Sequence, residues 1–339
     1  MTTPTESNVD TLVIGAGPAG LAVAGCLVQR GHTPSVIEKS EHVAASWRAH
    51  YERLHLHTVK ALSALPGMPF PEDAPRYVSR QGVVDYLTRY AAAHRIEPHF
   101  REEAVSIKRV GTGWATRTAA GHRFVSRCVV VASGANHAPR VPVIAGQASF
   151  RGRILHSREY RNAAPFAGQS VLVVGMGNTG AEIALDLAEQ GVQMALSVRS
   201  PINLVHRDVL GRPTQVSSIM LSKLPTAWGD AIATWLRNLT VGDLSPWGLR
   251  TAAISPLRQL REHGKTPVID VGTLARIRRG DIRAHPGIEA FTASGLRFVD
   301  GSEHAFDAAI LATGYEPRVE RLFPDIKLQL DRSGICRCT

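Results

Sequence analysis

The chain has 339 residues, of which 44% are hydrophobic and 20% charged, proportions typical of a globular protein. Its formal net charge is +10, but the basic residues are scattered and no nucleic-acid-binding motif accompanies them, so no nucleic-acid partner is expected. No apolar run approaches the roughly 20 residues that span a bilayer, and the first ten residues do not resemble a signal peptide. We therefore expect a cytoplasmic protein without a membrane anchor, folded as two domains or as one domain inserted into another.

The cysteine and arginine content adds two expectations. None of the four cysteines forms a Cys-x-x-Cys pair, so the sequence indicates neither a redox dithiol nor a metal site. Arginine outnumbers lysine 33 to 6, a ratio that we attribute to a GC-rich, bacterial genome.

The first predicted element is a buried strand that runs into a glycine-rich turn and a helix, in residues 12–23, LVIGAGPAGLAV. This order is typical of a Rossmann dinucleotide-binding motif, in which Gly17 lets a pyrophosphate approach the backbone. The next strand, SVIEK, ends at Glu38, whose carboxylate suits a ribose diol and repels a 2′-phosphate. The cofactor-binding residues predicted here are Gly15, Ala16, Gly17, Pro18, Ala19, Gly20, Glu38 and Lys39.

Residues 171–182, VLVVGMGNTGAE, repeat this pattern. The strand that follows, VQMALSVRS, ends at Arg199 and Ser200, and a guanidinium with a hydroxyl is what a 2′-phosphate requires. This copy therefore predicts an NADPH site. Its predicted cofactor-binding residues are Gly175, Met176, Gly177, Asn178, Thr179, Gly180, Arg199 and Ser200.

The two halves also end alike, in FVSRCVVVASG (124–134) and FDAAILATGY (306–315), each a buried strand after a predicted β-meander. We predict an α/β fold with two Rossmann-like dinucleotide-binding domains, the NADPH domain inserted in the FAD domain. One motif would hold FAD and the other the coenzyme that reduces it. The residues predicted to contact cofactor in these closing turns are Ser133, Gly134, Thr313 and Gly314.

Residues 150–161, FRGRILHSREYR, lie between the two motifs and carry Phe150, Gly152, His156 and Tyr160. They resemble the F-x-G-x-x-x-H-x-x-x-(F/Y) motif of the class B flavin-containing monooxygenases, a resemblance that runs over nearly the whole chain. The stretches SWRAHYERLHLHTVK, LPGMPFPEDAPRYVSRQGVVDYL, VRSPINLVHRDVLGRP and GKTPVIDVGTLARIRRGDI are similar, more narrowly, to the YUCCA-type indole-3-pyruvate monooxygenases of plants and their bacterial relatives.

The resemblance implies that NADPH reduces FAD, that molecular oxygen adds at the flavin C4a position, and that the (hydro)peroxyflavin transfers one oxygen atom to a small organic substrate. Such an adduct decays in water, so the site is expected to exclude solvent, with NADP⁺ as part of its lid. The YUCCA-type similarity favours oxidative decarboxylation of an aryl 2-oxo acid such as indole-3-pyruvate. A homodimer is kept as one option for the assembly.

The resemblance also implies roles for two residues near the flavin edge, His57 and Lys60, which we predict to be catalytic. His57 stands where many N-oxygenating members carry Asn and where YUCCA-type members carry His, and it is also expected to contact cofactor. For each residue a purely structural role is the alternative.

Four further positions match the family pattern. Trp47 and Arg48 correspond to a pair that lies along FAD, and Gln81, after the predicted helix N-cap Ser79, to a residue near the flavin. His156 is expected to act as a hinge and to position NADP. These residues complete the set predicted to bind cofactor.

The expected domains are residues 1–163 for FAD, 164–314 for NADPH, and 315–339 for a return to the FAD domain. A largely helical insertion is predicted at about 200–265, with Trp228, Trp235 and Trp247 as core. The family chain continues with a further strand and helix, whereas this one stops at ICRCT. We therefore expect a truncated return segment and a weakened FAD site.

Three alternatives remain open at this stage. The first is N- or S-oxygenation of a soft nucleophile instead of decarboxylation. The second is a disulfide reductase, against which the absence of Cys-x-x-Cys argues. The third is a truncated, catalytically impaired copy that only binds NADPH.

Overall fold

A computed structural model describes residues 5–331, 334 and 336 of the chain. These residues form two compact units. The first unit contains the residues up to His50, Val59–Ala138, and the residues from Tyr315 onward, and the second contains Tyr51–Thr58 and Pro139–Gly314. The second unit therefore interrupts the first along the chain, in agreement with the predicted insertion.

The described residues of the first unit form a six-stranded sheet and three α-helices. Its strands are β1 (Glu6–Ile14), β2 (Ser35–Glu38), β3 (His99–Phe100), β4 (Ala104–Val110), β5 (Gly113–Thr118) and β6 (Arg123–Val131). Its helices are α1 (Pro18–Gln29), α2 (Ala45–Arg48) and α3 (Arg80–Ala93). The strand order is β3-β2-β1-β6-β5-β4. Strands β3, β2, β1 and β6 run parallel, while β4, β5 and β6 form the predicted antiparallel meander.

Packing of α1 on α3 depends on a glycine inside α1. A Cβ at Gly25 would lie 2.3 Å from the Tyr90 hydroxyl oxygen, so only glycine allows this tyrosine to lie so close to the helix. The Tyr90 hydroxyl donates to the Pro66 carbonyl at 2.9 Å. Helix α3 begins as predicted, because the Ser79 hydroxyl accepts from the Gly82 N–H at 3.2 Å.

The second unit is built on a parallel five-stranded sheet. After the short strand β7 (Ala138–Pro139), its elements in chain order are β8 (Arg153–His156), β9 (Ser170–Val174), α4 (Asn178–Glu189), β10 (Gln193–Ser197), β11 (Leu204–His206), β12 (Asp208–Val209), β13 (Arg212–Pro213), α5 (Thr214–Leu221), α6 (Thr226–Val241), α7 (Pro256–His263), β14 (Val268–Asp270), α8 (Thr273–Arg279), β15 (Ile282–His285), β16 (Ile288–Phe291), β17 (Gly295–Phe298), β18 (Glu303–Ala305) and β19 (Ala308–Leu311). The sheet order is β15-β10-β9-β19-β8, and β16, β17 and β18 form the second meander.

The boundaries of the two compact units differ from the boundaries predicted for the cofactor domains. Strand β8 precedes the expected boundary after residue 163, yet it pairs with β19 in the second sheet. After Gly314 the chain returns to the first unit through β20 (Tyr315–Glu316). There Lys108 of β4 forms an ion pair with Asp325 at 2.9 Å. The cofactor assigned to each domain stays a prediction.

The insertion contains helices α5, α6 and α7, and Trp247 packs against the core, but Trp228 and Trp235 are placed differently from the expectation. Trp228 and Trp235 are 69% and 61% exposed, so the prediction that they form core is wrong. Their spacing of seven residues puts both on the same face of α6, and the buried residues Gly229, Arg237 and Val241 lie on other faces. The spacing in the sequence indicates that the two tryptophans share one face of the helix. It does not indicate whether the rest of the protein packs against that face. No helix in the described part of the chain is long and apolar enough to cross a membrane.

Candidate functional site

The first glycine-rich turn leaves open space over only its second glycine. Gly15 has φ +108°, and a Cβ there would lie 2.6 Å from the Ala132 carbonyl oxygen. A Cβ at Gly20 would lie 1.8 Å from the Gly15 carbonyl oxygen, so the helix start and the turn pack backbone to backbone. At Gly17 an added Cβ would meet no atom of the described residues within 4 Å. That open face is where the motif requires a pyrophosphate.

The second turn reproduces this geometry. Gly175 has φ +100°, and a Cβ at Gly180 would lie 2.0 Å from the Gly175 carbonyl oxygen. Over Gly177, the space within 4 Å of an added Cβ again contains no atom of the described chain. We call the two turns, with the helix start that follows each, the first cradle and the second cradle.

The strand ends beside the two cradles differ as the sequence predicts. Glu38 is buried, and its carboxylate accepts hydrogen bonds from the backbone N–H groups of Ala16 at 2.8 Å and Ser40 at 3.0 Å. The acid therefore lies against the first cradle itself. Lys39, the next residue, is exposed.

Arg199 and Ser200 follow β10 and are both exposed. The Arg199 carbonyl accepts from the Arg250 guanidinium at 2.6 Å, so a second arginine lies beside this strand end. Sequence reasoning missed Arg250, because it belongs to the insertion and lies 51 residues from Arg199 along the chain.

The start of α4 also differs from the start of α1. The Asn178 side chain donates to the Pro267 carbonyl at 3.2 Å and accepts from the Ile269 N–H at 2.7 Å, and so holds β14. Pro18, at the corresponding position of α1, has no side-chain hydrogen-bonding group. The other predicted residues of the cradles differ in burial. In the first cradle Ala16 is fully buried and Ala19 is exposed, and in the second Met176 is buried and Thr179 is half-buried.

The closing turns lie beside the cradles. Ala132, just before Ser133, provides the carbonyl that crowds Gly15, and Ala312, just before Thr313, crowds Gly175 in the same way. The glycines that follow, Gly134 and Gly314, have φ +85° and +86°. The two Ala-Ser/Thr-Gly sequences are therefore equivalent in structure as well as in sequence.

His156 is buried at the end of β8 and holds the second closing turn. Its Nε2–H donates to the Gly314 carbonyl at 3.1 Å, and its Nδ1 accepts from the Arg158 N–H at 3.1 Å. Burial lowers the pKa of His156, so the neutral imidazole fits both contacts. This agrees with a positioning role rather than with acid or base catalysis.

His57 belongs to the second unit, where its Nε2 lies 2.5 Å from a carboxylate oxygen of Glu182 on α4. The side chain of Glu182 is 5% exposed and that of His57 17%. Sequence reasoning singled out His57 and missed its partner, because 125 residues separate them.

Lys60 lies in the first unit, and its ammonium donates to three backbone carbonyls, those of Pro71, Glu72 and Ala74, at 3.2, 2.6 and 2.5 Å. An ammonium has three N–H donors, so all of them are used. This geometry favours the structural alternative, in which Lys60 holds the 71–74 loop.

The remaining predicted residues also belong to the first unit. Trp47 is half-buried in α2, and the exposed Arg48 donates to the Val43 carbonyl at 3.0 Å and to the Thr88 hydroxyl at 3.2 Å. Gln81 is exposed at the start of α3 and donates to Asp85 at 2.8 Å. The residues predicted to lie near the flavin therefore belong to two different units. His57 lies in the second unit, and the first unit contains Trp47, Arg48, Lys60 and Gln81.

Comparison with known proteins places this geometry in a family. The model of the flavin-binding monooxygenase-like family matches residues 9–326. The chain belongs to the flavin-binding monooxygenase-like family.

Its relatives include indole-3-pyruvate monooxygenase YUCCA1 of Oryza sativa subsp. japonica, 39% identical over 331 residues, which cover 96% of this chain and 81% of the rice protein. In fold it is similar to a flavin-containing monooxygenase from Stenotrophomonas maltophilia, with TM-score 0.74, 23% identity, and coverage of 98% and 86% of the two chains. It is also similar to the NADP⁺-bound cyclohexanone monooxygenase of Rhodococcus sp. Phi1, with TM-score 0.72, 20% identity, and coverage of 98% and 75%.

The family membership confirms the predicted two-dinucleotide fold and the predicted enzyme class. The protein is a flavin-dependent monooxygenase, an oxidoreductase that incorporates one oxygen atom into its substrate. The open faces of Gly17 and Gly177 leave room for a dinucleotide at each turn. The bacterial source expected from the arginine content has no support from the rice relative.

Proposed function

We propose that the first cradle binds FAD, that the second binds NADPH, and that the enzyme oxidatively decarboxylates an aryl 2-oxo acid of the indole-3-pyruvate type. The observation that carries the cofactor assignment is the contrast between two strand ends beside equivalent turns. A buried carboxylate at Glu38 suits a ribose diol, while the exposed Arg199 and Ser200 suit a 2′-phosphate.

Bound FAD supplies the oxygen-activating chemistry, and the residues of this chain hold and orient the reactants. Gly17 and Gly177 let a pyrophosphate approach the backbone, and the N-termini of α1 and α4 favour its negative charge. His156 fixes the turn at Gly314 beside the second cradle. His57, fixed by Glu182, remains our candidate for contact with the reacting groups.

The substrate proposal rests on the relatives. The rice protein that is 39% identical over nearly the whole chain carries the name indole-3-pyruvate monooxygenase. His57 stands at the position where the YUCCA-type members carry histidine rather than asparagine. An aryl 2-oxo acid would bring a carboxylate to a protein with net charge +10, which favours its approach.

A substrate comparison tests the proposal. Purified protein reconstituted with FAD would receive NADPH and, in separate reactions, indole-3-pyruvate, phenylpyruvate, a tertiary amine or a thioether. We expect NADPH-dependent loss of the 2-oxo acid with release of carbon dioxide, above the peroxide formed without substrate. Oxidation of the amine or thioether alone would replace decarboxylation by N- or S-oxygenation. A protein that binds NADPH without retaining FAD would correspond to the impaired copy.

Location and assembly form a separate part of the proposal. We propose that the enzyme works in the cytoplasm, with neither nucleic acid nor membrane as a partner, and we keep the homodimer as an option. Light scattering of the FAD-loaded protein would separate monomer from dimer. Cell fractionation would test the compartment.

A further inference from the structure

Three acidic side chains along one side of α4 hold parts of the second unit that are distant in sequence. They lie at intervals of four and three residues, which places them along one face of a helix. Glu182 accepts from His57, Asp186 accepts from the Tyr160 hydroxyl at 2.6 Å, and Glu189 pairs with Arg53. Burial and the bond to Asp186 raise the pKa of Tyr160, so this hydroxyl stays a donor. The segment Tyr51–Thr58 is thereby fixed to the helix that begins at the second cradle.

The contact with Glu182 determines which nitrogen of His57 carries a hydrogen. A neutral imidazole has one N–H and one acceptor nitrogen, and an ionised carboxylate can only accept. With Nε2 placed 2.5 Å from the Glu182 oxygen, the hydrogen of a neutral His57 imidazole lies on Nε2, and Nδ1 presents its lone pair.

The other nitrogen is available for a group that the chain does not provide. Nδ1 of His57 is buried and has no hydrogen-bond partner among the residues that the structure describes. Buried acceptors are almost always satisfied in native proteins, and exceptions occur at functional sites. An N–H or O–H donor on a bound reactant would complete this position.

We propose that Glu182 is a positioning residue of the monooxygenase reaction, which holds His57 as the Nε2–H tautomer and so keeps Nδ1 as the acceptor for a bound reactant. The kinetic part of this inference rests on the proposed role of His57, whereas the tautomer can be measured without any turnover. In other enzymes, replacing a carboxylate that orients a functional histidine lowers activity strongly.

The first experiment measures the tautomer by long-range ¹H–¹⁵N NMR on the FAD-loaded protein with ¹⁵N-labelled histidine. His57→Gln identifies the signals of His57, and His55, whose Nδ1 lies 2.6 Å from the Arg53 carbonyl, serves as a histidine that contacts a backbone carbonyl. We expect Nε2–H at His57 in the wild type, a tautomer mixture in Glu182→Met, and the wild-type pattern in Glu182→Gln, which keeps an oxygen acceptor. Nδ1–H in the wild type would overturn the proposal, even if Glu182→Met does not fold.

The second experiment is a double-mutant cycle in turnover. We expect Glu182→Met to lower kcat by about 10- to 100-fold while the KM for NADPH changes by less than about 2-fold. In the His57→Gln background the same change should alter kcat by less than about 2-fold, because its effect passes through His57. Glu189→Met, seven residues along α4, is the matched control and should leave the His57 tautomer unchanged.

The outcomes separate the two proposals. Equal losses from Glu182→Met in both backgrounds would show that Glu182 acts independently of His57 and would overturn the inference. If no tested substrate is oxidised while the Nε2–H tautomer is present and depends on Glu182, the proposed substrate fails and the positioning of His57 stands.

Discussion

The first cradle lies beside a strand that ends in a buried carboxylate, and the second lies beside a strand that ends in an exposed guanidinium. Glu38 accepts from the Ala16 N–H inside the first cradle, whereas Arg199 is exposed to solvent. The turns themselves are nearly interchangeable, with φ +108° at Gly15 and +100° at Gly175. On the proposed cofactor assignment, the turn would hold the pyrophosphate in both cradles, and the following strand end would distinguish the two dinucleotides.

The largest expected effect comes from filling one cradle at a time. Gly17→Val should remove FAD binding, because its side chain would occupy the space over the turn while φ −83° and ψ −176° suit valine. The flavin-to-protein absorbance ratio after gel filtration measures the loss, and circular dichroism checks the fold.

The matched variant is Gly177→Val, at the equivalent position of the second cradle. It should keep FAD and lose NADPH-dependent reduction of the flavin. If Gly17→Val retained stoichiometric flavin while Gly177→Val released it, the cofactor assignments would have to be exchanged.

A smaller effect is expected at the second strand end. Arg199→Ala should raise the KM for NADPH by about 10- to 100-fold, the range for loss of one charge-assisted hydrogen bond. The KM for NADH should change by less than about 2-fold, since NADH has no 2′-phosphate. Steady-state rates with both coenzymes give the comparison. An equal rise for both would mean that Arg199 holds something other than the phosphate.

The free energy of unfolding can be used to compare the first residues of α1 and α4, Pro18 and Asn178. Asn178→Ala removes two hydrogen bonds to residues 267–269 and should lower the free energy of unfolding by about 1–3 kcal/mol. Pro18→Ala, at the equivalent position, should lower it by no more than about 1 kcal/mol, because proline contributes there only through its fixed φ. Calorimetry on both variants measures the difference. Comparable losses would show that the Asn178 contacts add nothing specific to the second cradle.

The smallest effect is a pH dependence near the strand that Asn178 holds. The hydrogen bond to Asp270 is the main cause of the raised pKa of His206. Since the folded pKa is raised, the contribution of His206 to stability is complete below its ordinary value of 6.5 and is lost as the pH rises through the folded pKa. His206→Gln should therefore lower Tm more at pH 6 than at pH 9, by a few degrees. A Tm difference that grows towards pH 9 would contradict this sign.

The parts that the sequence predicted well are those that adjacent residues determine. Gly15 and Gly20 specify the turn, since only glycine allows such close backbone contacts, and the strand ends at Glu38 and Arg199 follow at a spacing set by one helix. The meanders before Ser133 and Thr313 were predictable from alternation and turn residues.

The contacts that the sequence did not predict join residues far apart in the chain. Nothing in the stretch around Lys60 indicates that its ammonium would hold the 71–74 loop, and nothing near His57 indicates Glu182. A residue's type limits its chemistry, but its partner depends on how distant segments pack. The exposed face of α6, with Trp228 and Trp235, illustrates the same limit for burial.

The order of strands in the second sheet also has a consequence for the nascent chain. Strand β19 lies between β9 and β8, yet it begins 152 residues after β8 ends, from His156 to Ala308. At ribosomal rates of about 5–20 residues per second, roughly 8 to 30 s pass between the synthesis of β8 and that of β19, the strand with which it pairs. During that interval Leu155, which becomes buried in the finished sheet, remains accessible to chaperones. Slow translation of the insertion would lengthen that exposure without changing any contact of the folded enzyme.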